Sequence, residues 1–154
     1  MNKRLGECGS WGWLVRGACA VTGAVFVGAG VNHFVHAGFY ERMIPPGFPA
    51  PGMLVWVSGG FEILGGAGLL AGLLRGVWFS RVGRVAGWGL IALLLAVFPA
   101  NVYMAIAPER FAELGMPGWA LWARLPLQAV MMGWVWLVGI RRGRGKGPGR
   151  GQAS

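Results

Sequence analysis

Charge is scarce in this chain. Only 12% of its 154 residues are charged, and Asp and Glu together number five. A soluble globular domain carries about 25% charged residues, so a surface built mainly to face water is excluded. Cysteine is equally sparse. Cys8 and Cys19 form no CxxC and no metal-ligand spacing, so an intramolecular dithiol centre is not expected. A thiol relay would need a partner protein. The histidines His33 and His36 stand three residues apart with no third ligand, which leaves a zinc-type site unsupported. There is no metal or nucleotide motif.

What the chain has instead is apolar length. Hydrophobic residues make up 55% and fall in long blocks, the pattern of an integral membrane protein. The size fits one domain. The net charge of +9 would point to nucleic acid in a soluble protein. Here the cations flank apolar spans, so they read as topology signals and a basic tail, and no nucleic-acid partner is expected.

The first apolar span is expected from about Ala18 to Val35. It shares small-residue richness with a signal-peptide core, and Val35-His36-Ala37 has some likeness to a cleavage site. Its length, and the polar Asn32, His33 and His36 at its end, favour a retained helix. Ala20, Ala24 and Gly28 recur every fourth residue, a small-residue face suited to close packing. The second span, Met53 to Leu74, has 22 residues. At ~1.5 Å per residue it covers ~33 Å, enough for a bilayer core. Gly60, Gly65, Gly66, Gly68 and Gly72 thin it, and Gly68 with Gly72 forms a GxxxG-type pair. The third span is expected over Val85 to Ile106. Pro99 within it deprives the Leu95 carbonyl of its helical donor, and Asn101 stands close enough in sequence to help satisfy the freed groups. The fourth runs from about Trp119 to Ile140. Residues 1–17 form an N-terminal segment and residues 141–154 a basic disordered tail.

Eleven of the fourteen Lys and Arg residues fall on one side of these spans. They are Lys3, Arg4, Arg16, Arg75, Arg81, Arg84, Arg141, Arg142, Arg144, Lys146 and Arg150. The positive-inside rule then gives an all-α membrane protein, a four-transmembrane-helix bundle with both termini cytoplasmic. Tryptophans agree. Trp56, Trp119 and Trp122 belong near the outer interface, and Trp78, Trp88, Trp134 and Trp136 near the inner one.

This topology assigns depths. Glu62, the one ionisable residue of the second span, lies nine residues from its start, ~14 Å at helical rise. A carboxylate there costs roughly 2.5–3.5 kcal/mol unless protonated, paired or wetted. Ser58 is one turn above it. Gln128 has a similar depth on the fourth span, and Arg124 is one turn shallower on the same face. Asn101 and His33 lie near the outer ends of theirs. His33, Ser58, Glu62, Asn101, Arg124 and Gln128 are therefore expected to form one cluster, with Glu62 and Arg124 as its charge pair. The cluster reads either as a ligand or proton site or as structural glue between helices.

At these residues the chain resembles the DoxX-like family of small integral membrane proteins. The matching pieces are His33-Phe34 ahead of Phe39-Tyr40, Ile44-Pro45-Pro46, Ser58-Gly59 with Glu62, and Gly65-Gly66 with Gly68-Leu69-Leu70. Trp88-Gly89-Leu90-Ile91 then leads into Phe98-Pro99-Ala100-Asn101-Val102-Tyr103-Met104, followed by Arg124-Leu125-Pro126-Leu127-Gln128. The resemblance covers about residues 18–140 and implies a four-helix membrane domain. The founding members are similar to a subunit of thiosulfate:quinone oxidoreductase, and other relatives are linked to membrane redox or thiol-stress complexes. The resemblance thus implies an accessory subunit of a quinone- or thiol-linked redox system in a bacterial inner membrane. Its partners would be lipids, redox-enzyme subunits or further copies of itself, and quinone the candidate cofactor. No catalytic residues carry over. A non-enzymatic scaffold or assembly factor is the alternative. A small transporter is disfavoured by four short helices without an inverted repeat.

Overall fold

The computed structural model of the chain describes residues 7–74, 77–112 and 115–141. The basic tail beyond Arg141 and the first six residues lie outside the described part. All regular structure there is helical: α1 (Glu7–Val35), α2 (Ala37–Glu41), α3 (Pro51–Ala71), α4 (Val77–Ile106), α5 (Glu109–Ala112) and α6 (Gly118–Val135), which continues into a π-helical turn over Trp136–Ile140. Four helical stretches are long and apolar enough to cross a membrane: Gly12–Val35, Pro51–Ala71, Ser80–Ile106 and Gly118–Ile140. The molecule is a multi-pass, all-α, four-helix membrane bundle.

Two helices begin earlier than their apolar spans. α1 starts at Glu7, so the expected N-terminal segment is largely a continuation of the first helix. α4 starts at Val77, which puts Arg81 and Arg84 on a helix rather than in a loop. Hydropathy marks where lipid begins, whereas the backbone ladder continues into the interface as long as no breaker intervenes. At the other end the breakers are present. The stretch between α2 and α3 contains Pro45, Pro46 and Pro49. Gly47 has φ +101°, and Ala50, at the N-cap of α3, takes the left-handed φ of +49°. Pro51 then opens α3, where its missing N–H has no helical partner to lose.

The apolar surface faces outward as well as inward. Val21, Val25, Leu64, Val85, Trp88, Leu95 and Val130 are all exposed, as expected of helices covered by lipid rather than by one another. Trp56, Trp119 and Trp122 are exposed at the end of the bundle carrying the 36–50 and 107–117 connections. The opposite end carries the start of α1, the π-helical turn after α6 and the turn that follows α3.

Glycines set the helix spacing. α1 and α3 run antiparallel, with Gly23 opposite Gly66 and Gly30 opposite Gly59. A Cβ on Gly66 would stand 2.5 Å from the Gly23 carbonyl oxygen, and one on Gly30 2.5 Å from that of Gly59. The seven-residue spacing on both helices keeps these contacts on one face over two turns. The expected Ala20-Ala24-Gly28 face is not the packing face. Ala24 and Gly28 are exposed, and a Cβ on Gly28 would meet nothing within 4 Å. The Gly68–Gly72 pair does pack: Gly68 faces Ala86 and Gly72 faces Gly83 of α4.

Two apolar cores result. Cys19, Phe26, Leu69, Leu90, Val135 and Val138 fill the middle and the terminal end. Met43, Met104, Phe111 and Leu121 fill the loop end. Thr22 joins α1 to α6, accepting a 2.9 Å hydrogen bond from Trp134 Nε1 and donating to the Ala18 carbonyl.

Candidate functional site: a polar-walled cavity at the loop end

A cavity of about 400 Å³ opens between α1, α3, α4 and α6 at the loop end of the bundle. This is within the size range of small-molecule sites. Most of its wall is apolar, supplied by residues such as Leu54, Val55, Phe61, Leu93, Val97 and Pro99, with Ile44, Pro45 and Phe48 over the top. Five of the six expected polar residues line it: His33, Ser58, Glu62, Asn101 and Arg124. Gln128 does not. It is buried, 4% exposed, and bonds to the back of Asn101.

Glu62 and His33 form the first polar wall. His33 Nδ1 lies 3.3 Å from Glu62 Oε2 and 3.0 Å from the Ala29 carbonyl oxygen. A carbonyl oxygen only accepts, so Nδ1 carries the hydrogen, and it serves the backbone. Glu62 Oε2 is buried and has no hydrogen-bond donor. Gly59 makes the approach of the two residues feasible. A Cβ there would stand 2.7 Å from the His33 Cβ, so only glycine lets α1 bring the imidazole down beside Glu62. Tyr40 holds the ring from the other side. It stacks on His33 with centroids 3.9 Å apart, and its hydroxyl accepts a 2.8 Å bond from Asn32 Nδ2. Asn32 Oδ1 in turn accepts from His36 Nδ1 at 2.8 Å. Ser58 spends its hydroxyl on its own helix, donating to the Val55 carbonyl at 2.9 Å.

Arg124 forms the second wall, and the expected Glu62–Arg124 pair is absent. Glu62 has His33 beside it at 3.3 Å, while the Arg124 guanidinium points at thioethers. Nη1 is 3.5 Å from Met104 Sδ and 4.0 Å from Met43 Sδ, and Nη2 is 3.4 Å from Met116 Sδ. Counting residues gives depth along a helix but leaves its rotation open. At the realised rotation the methionines of the loop-end core meet Arg124 first. Among the described residues no oxygen accepts from this guanidinium.

Asn101 and Gln128 tie α4 to α6. Asn101 Nδ2 donates to Gln128 Oε1 at 2.8 Å, and Gln128 Nε2 donates to the Leu94 carbonyl. That carbonyl is one residue before Leu95, whose helical donor is removed by Pro99. Gln128 thus bonds the α4 backbone beside the carbonyl that Pro99 frees, and Asn101 bonds Gln128 rather than the backbone.

Several residues of this site escaped the sequence reading. Tyr40 and Met104 stand within stretches singled out there, but nothing in them announced a stack on His33 or a contact with Arg124. Met43 and Met116 lie in connecting segments and carried no signal. Among the described residues no group of three His, Cys, Asp or Glu side chains is placed to hold a metal ion. Cys19 is buried towards the opposite end, its thiol directed at the Leu69 carbonyl at 3.8 Å.

Residues 22–139 match the family described as Domain of unknown function (DUF8561). The chain belongs to the DUF8561 family. The matched stretch holds every residue of the cavity, from His33 to Arg124, together with Gln128. Comparison with curated proteins and with solved structures finds no match.

Proposed function

We propose that this DUF8561 protein is a DoxX-like accessory subunit of a membrane redox system, quinone- or thiol-linked, that holds a quinone-type ring in its loop-end cavity. The observation that carries this reading is the donorless oxygen of Glu62. A buried carboxylate oxygen without a donor costs on the order of 1–3 kcal/mol, and a ligand bearing an O–H satisfies it. A ring whose oxygens gain and lose protons with reduction is such a ligand. Glu62 then exchanges a proton with the ring oxygen, and His33 beside it steadies the carboxylate when ionised. The apolar walls suit the ring and its tail. The thiol-linked variant draws less support, because Cys19 lies away from the cavity.

The orientation follows from charge. The cations before α1 and after α6 belong on the cytoplasmic side, so the cavity opens at the outer face. In this reading the protein sits in the bacterial inner membrane, and its partners are lipids, redox-enzyme subunits and further copies of the chain. A scaffold or assembly role is favoured by one separate observation: the Asn101–Gln128–Leu94 chain, which ties α4 to α6.

The test compares wild-type membranes with those carrying Glu62→Gln or Arg124→Met, scoring the abundance of each chain and the quinone-reduction activity. The reading expects quinone-reduction activity to fall in both. Normal abundance with unchanged activity refutes it, and collapsed abundance of both favours the scaffold.

A further inference from the structure

The feature the proton site leaves unexplained is Arg124. A guanidinium presents five N–H donors, and here its described contacts are three thioether sulfurs at 3.4–4.0 Å. Thioethers are weak acceptors. They are also soft and polarisable, so they tolerate a cation without neutralising it. The residue is only part-exposed and lies within a membrane-spanning stretch, where an ionisable group marks a functional position by default. If its role were only to pack, an uncharged side chain would fill the same methionine-lined space at lower cost. It also lines the cavity.

The methionines bear on the geometry as well. Met104 comes from α4, Met43 from the segment after α2, and Met116 from the segment before α6. Three elements therefore fix one guanidinium, while none of them supplies the oxygen that it favours. A fork held in place with its acceptor missing is a preorganised site for a planar or charged oxygen group.

From this we infer that Arg124 is an anion subsite, which takes the ionised oxygen of an amphipathic ligand whose apolar body fills the cavity. The inference rests on the cavity being a ligand site, and it adds the ligand's charge. The two polar walls then act on opposite ends of one molecule. The acidic oxygen sits on Arg124, and a donor group, or a proton, meets Glu62 Oε2. A neutral hydrocarbon or a cationic amphiphile leaves the guanidinium uncompensated and is rejected.

Two probes of nearly equal shape separate this claim from the broader one. 2-Hydroxy-1,4-naphthoquinone is an anion at neutral pH, and its methyl ether, 2-methoxy-1,4-naphthoquinone, is neutral. Binding of each to the full chain in nanodiscs is measured by titration for wild type, Arg124→Met and Arg124→Lys. The expected result is that wild type binds the anion more tightly than the ether. Arg124→Met loses about tenfold or more for the anion and changes little for the ether. Arg124→Lys retains charge without the fork and recovers part of the loss. Should the ether bind as well as the anion in wild type, the anion subsite is wrong while the ligand cavity stands. Binding of neither probe overturns both. The lysine variant and the ether together guard against a methionine variant that fails to fold.

Discussion

His33 Nδ1 stands 3.3 Å from Glu62 Oε2, yet its hydrogen bond goes elsewhere. The imidazole Nδ1 donates to the Ala29 carbonyl one turn back on its own helix, and the carboxylate oxygen beside it is left buried without a donor. That hydrogen bond is not closed across the pair. Leaving it open keeps an acceptor available at the cavity wall, and each substitution around it has a distinct expected outcome.

Glu62→Met removes the donorless oxygen and keeps the volume. Replacing an unsatisfied buried polar group with an apolar one of similar shape is nearly neutral or stabilising. Thermal unfolding of the purified variant is therefore expected within about 1 kcal/mol of wild type, or above it. Ligand-dependent stabilisation should disappear in the same experiment. A large loss of stability would mark Glu62 as structural.

Gly59→Ala acts on geometry alone. Its Cβ would stand 2.7 Å from that of His33 and 2.9 Å from the Gly30 carbonyl oxygen. Overpacking of this kind costs about 1–3 kcal/mol, and here it drives α1 from α3 and His33 from Glu62. Gly28→Ala is the control, since nothing lies within 4 Å of its Cβ. That change should be neutral or stabilising, because alanine outdoes glycine in a helix by about 1 kcal/mol. Denaturation midpoints in one detergent distinguish the two.

Gln128→Leu tests the structural half of the polar set. It leaves Asn101 Nδ2 without its partner and removes the added bond to the Leu94 carbonyl. A loss of about 1–3 kcal/mol is expected, read as a lower unfolding temperature and lower membrane abundance. Ligand affinity per folded molecule should change little, since Gln128 does not line the cavity.

Orientation has its own measurement. A reporter active only outside the cytoplasm, fused after Ser154, should be silent, and one inserted in the 107–117 connection should be active. The opposite pattern would place the cavity on the cytoplasmic side and remove the positive-inside argument.

Much of this architecture was legible in the residues. Four spans, their order and the second span's glycine-rich face follow from apolar length and spacing. Depth counting also brought His33, Ser58, Glu62, Asn101 and Arg124 into one expected cluster, and the cavity gathers all five. Depth is an axial quantity, however, and pairing depends on rotation. Glu62 and Arg124 lie about one turn apart in depth but face different neighbours, His33 across the Gly59 gap and the methionines of the loop-end core. The packing face of α1 was misassigned for a related reason. A four-residue repeat of small residues, Ala20-Ala24-Gly28, drifts around the helix, whereas Gly23 and Gly30 meet glycines of matching spacing on α3. A single helix does not reveal which of its small faces has a partner. The division of the polar set into a donorless pair, an unaccompanied cation and a satisfied amide bridge required the side-chain contacts.

The central claim is that the cavity beside Glu62 holds a small amphipathic ligand. Native mass spectrometry of the chain extracted gently from its own membrane addresses this most directly, with wild type compared against Glu62→Gln and the cavity-filling Ala100→Phe. The account predicts a discrete small-molecule adduct on wild type that is weakened by the first change and abolished by the second. A bare protein, or lipid adducts equal across all three, would contradict it.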